Sequence, residues 1–272
     1  MKDETSATRV FELLSQAGKG MDITIRDDQN DFSAFLDSAK FCRQKGGRFR
    51  LIDTGKLSLF ELEWLGEAGA DIYTSDEARP NKTEIELLAK ACSRGQAIVA
   101  YFHQGTITGN KEGDPTSLSF LLDVSRSGAY LHLSNRDRER SPADLSELAS
   151  SCRKAGTWLV YYHHSRLVDG LEDLARNGGW VHISDQSLES GEDAALLLEI
   201  IKEASAACSN LVLHVEEGLE LDMLRDIVQA GAFILFKTPP SDYKSSFLAI
   251  EQQARRKKLD FRAYYLYTTI LP

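Results

Sequence analysis

Short runs in which apolar and polar residues alternate recur along the chain, and segments with helical spacing separate them. Four of these runs begin with glycine and share one pattern: Gly69–Asp76, Gly128–Asn135, Gly178–Asp185 and Gly231–Thr238. A looser copy spans Gly20–Asp27. A period of two is typical of a β-strand. Self-similarity at a spacing of roughly 50 residues indicates a repeated supersecondary unit.

A second type of strand is predicted between the glycine-marked strands. Its members are Phe49–Thr54, Ile98–His103, Trp158–His163, Val212–Glu216 and Phe261–Leu266. The intervening segments carry apolar residues at helical spacing, such as Leu59, Leu62 and Leu65. A further helix is predicted before the first strand, around Thr8–Gln16. The sequence therefore predicts ten helix–strand units in five pairs.

Strands that alternate with helices over short connections predict a parallel sheet. No Pro/Ser-rich linker or change of composition divides the chain. We therefore expect one α/β domain over residues 1–272, a TIM-barrel-like parallel (βα) barrel of about ten strands with an N-terminal helix. Ten strands could close as one barrel, eight could close with the first and last outside it, or the sheet could stay open as a horseshoe.

Composition narrows the class of partner. The 272 residues are 42% hydrophobic, which is enough for a sizeable core, and the net charge is -9. An acidic chain is a poor ligand for nucleic acid or for an anionic membrane. No apolar run reaches the roughly 18 residues of a membrane span, and the charged start is unlike a signal peptide. We expect a cytoplasmic protein with neither of these partners, and the oligomeric state stays open.

The four cysteines are Cys42, Cys92, Cys152 and Cys208, each near the end of a predicted helix. Equivalent positions two strands apart lie roughly 10 Å from each other, which is beyond the reach of a disulfide. We expect buried packing thiols.

Alternate residues of a strand point to opposite faces of the sheet. In the glycine-marked strands one set is mostly aliphatic and suited to packing under helices: Ile72/Thr74, Leu131/Leu133, Val181/Ile183 and Ile234/Phe236. The other set is polar and aromatic and would line the barrel: Asp71/Tyr73/Ser75, Tyr130/His132/Ser134, Trp180/His182/Ser184 and Phe233/Leu235/Lys237. Aligning the repeats adds to that interior Arg50/Ile52/Thr54, Val99/Tyr101/His103, Leu159/Tyr161/His163, Val212/His214/Glu216 and Arg262/Tyr264.

Five of the six histidines would then point inward. Each buried polar group without a partner costs about 1–3 kcal/mol, so these groups either bond one another or surround a wet cavity, which is the interpretation we favour. Arg26, Arg50, Lys237 and Arg262 would cluster on neighbouring strands of a closed barrel. Such a cationic patch suits a small carboxylate or phosphate. The alternative is internal ion pairing with Asp22, Asp71 or Glu216.

Histidine titrates near neutral pH and is a natural group for proton transfer. His163 and His103 end their predicted strands, and His182 lies one layer lower. We expect these three to be catalytic, with Tyr161 and Ser184 joining the four cations in substrate binding. No cofactor is predicted, although a divalent metal held by His103, His163 and Glu216 is an alternative.

From Phe49 to Thr238 the chain resembles a type I dehydroquinase, an aldolase-like barrel that dehydrates a cyclic carboxylate through a Schiff-base lysine. The likeness is carried by Gly69-Ala70-Asp71-Ile72, by the loop Gly105–Gly113 and by Tyr161-Tyr162-His163, where the family has its catalytic histidine. The strand that holds the family's lysine reads Val181-His182-Ile183-Ser184, and Tyr73 and Ser75 replace its glutamate/arginine pair. The resemblance implies a barrel and a role for His163, without Schiff-base chemistry.

Three functions follow from these observations. The first is an enzyme that binds a small anionic metabolite and carries out acid–base chemistry of lyase or isomerase type. The second is a metal-dependent hydrolase. The third is a non-catalytic barrel, either a pseudoenzyme or a binding scaffold.

Overall fold

The computed structural model describes residues 3–107, 117–136, 138–188, 191–216, 218–236, 245–259 and 261–263, and their side chains except those of residues 3–9, 245–246 and 261–263. By its internal contacts the chain divides into two compact units, residues 1–131 and 132–271. The single domain expected over residues 1–272 stays a prediction.

The first unit alternates helices and strands. Its elements are α1 (Asp3–Gly18), β1 (Ile23–Arg26), α2 (Phe32–Lys45), β2 (Phe49–Ile52), α3 (Leu59–Ala68), β3 (Ala70–Ser75), α4 (Lys82–Gly95), β4 (Val99–His103) and α5 (Leu118–Arg126). The helix predicted before the first strand is α1. The next strand, β5 (Tyr130–Ser134), contains the boundary between the units.

The second unit continues the alternation. Its elements are α6 (Pro142–Lys154), β6 (Leu159–His163), α7 (Leu171–Arg176), β7 (Trp180–Ser184), α8 (Gly191–Ala206), β8 (Leu211–Val215), α9 (Leu221–Ala230), β9 (Phe233–Phe236), α10 (Ser245–Arg256) and β10 (Phe261–Ala263). A short 3-10 helix, Asp185–Ser187, follows β7.

Strands pair in parallel with their neighbours in the chain. In the first unit β1 pairs with β2, β2 with β3 and β3 with β4. In the second unit β6 pairs with β7, β7 with β8, β8 with β9 and β9 with β10. Each step from one strand to the next runs through a helix. The predicted fold class is confirmed: α/β, with consecutive parallel βα units of the TIM-barrel kind.

Local sequence sets where the helices begin and end. Ser58 caps α3 in a reciprocal pair with Glu61, so that two of the free backbone N–H groups at the helix start are satisfied. The same helix ends at Gly69, whose φ of 103° lies in the left-handed region that glycine adopts without strain. The chain can therefore turn directly from α3 into β3.

A carboxylate or amide at the carboxyl end of alternate strands holds the loop that follows the next strand. The four acceptors, two in each unit, are Asp27, Asp76, Asn135 and Asp185. Asp185, for example, accepts hydrogen bonds from the backbone N–H of Glu216 and of Gly218, both at 3.0 Å. The polar residue that closes each of these segments is therefore structural.

The register in the first unit decides which residues face the helices. Opposite residues of a parallel pair point to the same side, and Thr74 is opposite Tyr101. Tyr101 therefore shares the face of Ile72 and Thr74, which we call the helix face of the first unit. Its ring is fully buried with its centroid 6.4 Å from that of Phe120 in α5. The predicted interior position of Tyr101 and of His103, two residues further on, is wrong.

The same correction applies to β6 in the second unit. Tyr161 is opposite Val181, and His163 is opposite Ile183, so both lie on the helix face of this unit. Tyr162, between them, is opposite His182 on the other face, which we call the polar face. The predicted interior position of Tyr161 and His163 is therefore wrong, whereas that of His182 agrees with the register.

The error has a simple physical origin. In α2, α4, α6 and α8 a small buried residue precedes the first helix-face residue of the next strand by seven positions. These helix residues are Cys42, Cys92, Cys152 and Ala204, and the corresponding strand residues are Phe49, Val99, Leu159 and Leu211. The repeat alignment above instead matched Arg50 with Val99. A shift of one residue moves every side chain of a strand to the opposite face.

The same spacing corrects one cysteine. Cys42, Cys92 and Cys152 are buried free thiols, as expected. Cys208 is exposed, because Ala204 occupies the packing position of α8 and Cys208 lies beyond the end of that helix.

Within the described parts of the chain, none of the helices has both the length and the apolar character needed to cross a membrane.

Candidate functional site

Four ring side chains line up across adjacent strands of the second unit and form what we call the imidazole row: His132, Tyr162, His182 and His214. His132 Nδ1 lies 3.1 Å from the Tyr162 hydroxyl, and the two rings are stacked. The Tyr162 and His182 rings follow at a centroid distance of 4.7 Å. His182 Nδ1 and His214 Nε2 form a hydrogen bond of 2.9 Å.

Regular strand geometry brings the row together. Tyr162 of β6 is opposite His182 of β7, so their side chains point to the same face. His214 of β8 is opposite Ser184, two residues beyond His182 on the same face of β7. The imidazole of His214 thus reaches His182 diagonally across the pair, a reach that large side chains have.

Burial keeps the three imidazoles of the row neutral. It lowers the pKa of His132 to about 3. The pKa of His182 lies well below its usual range because of burial, with further lowering from His214 and His132. Burial also lowers the pKa of His214 to about 4, although the charges of Glu216 and Asp185 oppose the shift.

A hydrogen bond between two neutral imidazoles fixes their roles. One ring nitrogen donates its N–H and the other accepts with its lone pair. If His182 donates from Nδ1, its lone pair is on Nε2, and His214 carries its proton on Nδ1. A proton taken up by one ring can then pass to the other along the 2.9 Å bond. Such a pair can act as a general base and as a general acid.

Polar groups continue this face toward the carboxyl ends of the strands. The Ser184 hydroxyl lies 3.5 Å from Glu216 Oε1 and 3.3 Å from Asp185 Oδ1. Glu216 is exposed, and Ser184 is half-buried. In parallel α/β folds this end of the sheet is where ligands bind.

Aromatic side chains continue the face in the other direction. Trp180 precedes His182 by two residues on β7, and its ring centroid lies 5.6 Å from that of Trp158. Trp180 is opposite Val160 on β6, which places it on the polar face. The face therefore runs from indole rings through imidazoles to a hydroxyl and a carboxylate.

His163, predicted to be catalytic, is held in a different environment. It is buried on the helix face, and its Nε2 donates to the backbone carbonyl of Arg166 at 2.9 Å. Its Nδ1 lies 3.4 Å from both the Tyr161 hydroxyl and the Asn135 amide nitrogen. Burial lowers the pKa of His163, while the bond to Arg166 opposes that shift. These contacts fix the loop after β6 and set His163 apart from His182.

His103 belongs to the first unit and has an acidic neighbour. Its Nδ1 lies 2.9 Å from Asp76 Oδ2, which also accepts the backbone N–H groups of Gln104 and Gly105. Burial favours the neutral form of Asp76, but these contacts outweigh it, and the pKa of Asp76 is lowered. Within its own unit, this pair holds the chain where β4 ends.

The predicted cations are only partly described. Arg50 pairs with Asp22, one of the partners that the alternative interpretation named, at 2.9 Å, and the Asp22 side chain is exposed. Arg26 pairs with Asp28 at 3.4 Å and is largely exposed. Lys237 lies outside the described residues.

For Arg262 only the backbone is described. It is opposite Leu235, which is opposite His214. Arg262 therefore occupies a position on the polar face of the second unit, in the same cross-strand row as His214 and Ser184.

Across the described ranges, no group of three or more His, Cys, Asp or Glu side chains is arranged to hold a metal ion. The alternative metal set of His103, His163 and Glu216 thus has no support from these residues.

Sequence reasoning placed His132, His182 and His214 on one face but left Tyr162 and Trp158 out of the site. Both were assigned to the opposite set by the one-residue shift. The seven-residue spacing from Cys152 to Leu159 identifies them. It places Leu159 on the helix face, so Trp158 and Tyr162 lie on the polar face by alternation.

No protein-family model matches the chain, and no curated protein matches it. Solved structures similar to it include a proposed phosphonomutase from Burkholderia cenocepacia, with 12% identity over 82% of this chain and 89% of that chain and a TM-score of 0.37. Another is a proposed fructose-1,6-biphosphate aldolase from Coccidioides immitis, with 13% identity over 84% and 79% and a TM-score of 0.37. A third is the 3-dehydroquinate dehydratase of Aquifex aeolicus, with 13% identity over 88% and 97% and a TM-score of 0.35.

Dehydroquinate dehydratase, the family that the sequence resembles, is thus among the solved structures similar to this chain. At these identities and TM-scores the likeness carries no argument about activity.

Proposed function

We propose that the protein is an acid–base enzyme of lyase or isomerase type that acts on a small carboxylate or phosphate at the polar face of the second unit. The observation that carries the proposal is the 2.9 Å hydrogen bond between the imidazoles of His182 and His214. A buried polar pair is costly to maintain, and a core without function would fill these positions with aliphatic side chains.

The electrostatics of the pair keep both imidazoles in the unprotonated form that a general base needs. An imidazole can take a proton from carbon only when it is neutral, and burial keeps both rings neutral well below pH 6.5. Proton transfer by a positioned side chain typically contributes about 10²–10⁴-fold in rate. His182 would take the proton, and His214 would share it along the hydrogen bond.

Tyr162 and His132 would position the pair. Tyr162 packs against His182 with its ring tilted, and its hydroxyl lies 3.1 Å from His132 Nδ1. These contacts limit rotation of the His182 ring. Orientation of this kind lowers the barrier of a proton transfer without contact with the substrate.

The anionic group of the substrate would bind beside the pair. Arg262 occupies the row of His214, and a guanidinium is suited to two-pronged recognition of a carboxylate or phosphate. Lys237 follows β9 in the sequence and would add charge, and the Ser184 hydroxyl would turn away from the Glu216 carboxylate to donate a hydrogen bond to the substrate. Arg26 and Arg50 remain predicted anion ligands of the first unit, and the present proposal does not depend on them.

The test is hydrogen exchange between substrate carbon and solvent. The full-length protein is incubated in D₂O with a panel of small carboxylates and phosphates, and proton NMR follows loss of C–H signals, elimination and isomerisation. We expect a catalysed reaction with at least one member, and a rate at least ~100-fold lower in His182→Gln and His214→Gln. No reaction with any member, or unchanged rates in both variants, would contradict the proposal.

A control accompanies the variants. Lys154→Gln alters an exposed residue at the end of α6 in the same unit. It should retain a rate within about 2-fold of the starting protein. Thermal unfolding of each variant separates loss of the fold from loss of chemistry.

A further inference from the structure

The indole of Trp180 places a hydrogen-bond donor on the face that carries the imidazole row. Among the described residues, Trp180 Nε1 is buried and has no hydrogen-bond partner. Its ring packs against Trp158 at a centroid distance of 5.6 Å, and this contact limits rotation of the indole. Indole nitrogen only donates, so the missing partner must be an acceptor.

The energetic cost of this arrangement points to a ligand. A buried donor without an acceptor costs about 1–3 kcal/mol, and buried indole N–H groups usually have a partner. Phenylalanine would fill the same space next to Trp158 without that cost. The N–H at position 180 therefore has a use that packing does not supply.

The spacing between Trp180 and His182 matches a particular reaction. The two residues are separated by one position on β7 and point to the same face, so their Cα atoms lie about 6.6 Å apart. A base that removes a proton next to a carbonyl lies close to the carbon, and the donor that stabilises the resulting oxyanion lies about 2.7–3.1 Å from the oxygen. A substrate that lies across two neighbouring positions of one strand face can present its carbon to one side chain and its carbonyl oxygen to the other.

We propose that Trp180 Nε1 donates a hydrogen bond to the carbonyl oxygen of the substrate, and that the substrate is a small oxo acid, a carboxylate or phosphate that also bears a ketone or aldehyde. The proposal rests on the proposed function and specifies its substrate class. Trp180 is then the group that stabilises the developing enolate, and Trp158 is the positioning residue that holds its ring.

The step balances without any further reactant. His182 takes the proton from the carbon next to the carbonyl, and the C–H electron pair forms the C=C bond of the enolate. The π pair of the C=O bond moves to the oxygen, where the indole N–H stabilises the negative charge. In an isomerisation the imidazolium returns the proton at another atom. In an elimination the leaving group departs with its bonding pair and takes that proton.

The probe is 2-oxobutyrate, whose C3 protons exchange through such an enolate, and 2-hydroxybutyrate is the matched compound without the carbonyl. Exchange of the C3 protons in D₂O is followed by proton NMR for the starting protein, for Trp180→Phe and for Trp64→Phe, which alters an exposed tryptophan of the first unit. We expect exchange with 2-oxobutyrate alone, a rate about 100-fold lower in Trp180→Phe, and a rate within about 3-fold in Trp64→Phe.

A second readout separates chemistry from folding. Removal of a buried donor that has no partner should leave the melting temperature of free Trp180→Phe equal to or above that of the starting protein. A lower melting temperature with unchanged exchange would mean that the N–H has a structural partner, and would overturn the inference.

Failure of the two proposals gives different results. If the starting protein reacts with members of the carboxylate and phosphate panel that lack a carbonyl, but not with 2-oxobutyrate, the proposed function holds and the oxo-acid inference is overturned. If it reacts with 2-oxobutyrate and Trp180→Phe is equally fast, the role of Trp180 is overturned. No reaction with any compound contradicts both.

Discussion

His182 and His214, on neighbouring parallel strands, share a hydrogen bond of 2.9 Å between Nδ1 and Nε2. Because burial keeps both rings neutral, one of them donates and the other accepts. The relationship joins two residues that are 32 positions apart in the sequence. A purely structural role does not account for this pair, because aliphatic side chains would fill the same positions at a lower cost.

The pH dependence of catalysis should reflect the lowered imidazole pKa values. Protonation of His214, with a pKa of about 4, removes the acceptor of the pair. The acid limb of kcat/KM should therefore lie near pH 4 rather than near 6.5. Rates measured from pH 3.5 to 8 with any substrate that turns over check this, and an acid limb at about 6.5 would show that the pair is solvated. Among the described residues, His132, His164, Asp185 and Glu216 also act electrostatically on the pair.

Stability should depend on pH through the same group. The unfolded chain binds a proton at His214 below about 6.5, whereas the folded protein does so only below about 4. The stability that neutral His214 contributes is thus fully present above pH 6.5 and is lost as the pH falls toward 4. The difference in unfolding free energy between the starting protein and His214→Gln should shrink by roughly 2 kcal/mol from pH 7 to pH 5. Urea unfolding at both pH values measures it, and a constant difference would contradict the shift.

His163→Gln should affect stability more than catalysis. Its Nε2 bond to the Arg166 carbonyl and its burial on the helix face are structural contacts. We expect about 1–3 kcal/mol less stability, because a buried acceptor loses its donor, and turnover per folded molecule within about 3-fold. A loss of ~100-fold in turnover with an intact fold would return His163 to the catalytic group, as the sequence predicted.

The buried ion pair of the first unit should be a major stability element. Arg79 Nε donates to Asp53 Oδ2 at 2.9 Å, and Thr74 donates to the same carboxylate oxygen at 2.7 Å. Arg79→Met leaves this buried carboxylate without its cation and should cost about 3–5 kcal/mol. The control is Arg94→Gln, which breaks an exposed pair with Glu67 and should cost less than about 1 kcal/mol. Equal losses in the two variants would contradict the difference in burial.

The contact between α3 and α4 should tolerate no added methyl group. A Cβ at Gly95 would lie 1.8 Å from the carbonyl oxygen of Gly66, so the two helices would have to move apart. Gly95→Ala should destabilise the protein by about 1–3 kcal/mol. Gly191→Ala is the matched control, because open space surrounds that position, and its effect should stay within about 0.5 kcal/mol. Chemical unfolding of both variants measures the contrast.

The order of elements could be predicted from the sequence because each unit repeats the same local signals. Two local patterns predict the elements: alternation over runs such as Gly178–Asp185, and helical spacing between those runs. Both are properties of short segments and do not depend on tertiary contacts. The face of each strand is a different kind of property, since it depends on a register that is fixed only when helix and strand pack together. Residues such as Tyr162 were therefore assigned to the wrong face although their strand was predicted correctly.

The candidate site was predicted in part for the same reason. His182 lies on a glycine-marked strand, where the turn sets the register, and its predicted face agrees with the structure. His163 and His103 lie on the other type of strand, where the alignment slipped by one residue. The bond between His182 and His214 could not be predicted, because it depends on a diagonal reach between strands that no sequence spacing encodes.

The most direct test is nitrogen NMR of the full-length protein labelled with ¹⁵N at histidine. At pH 6 the ring nitrogens of His182 and His214 should show the chemical shifts of neutral imidazole. They should also show a scalar coupling across the hydrogen bond between Nδ1 and Nε2, and this coupling should be absent in His214→Gln. Two rings that titrate independently near pH 6.5, with no coupling between them, would contradict a neutral, directly bonded pair.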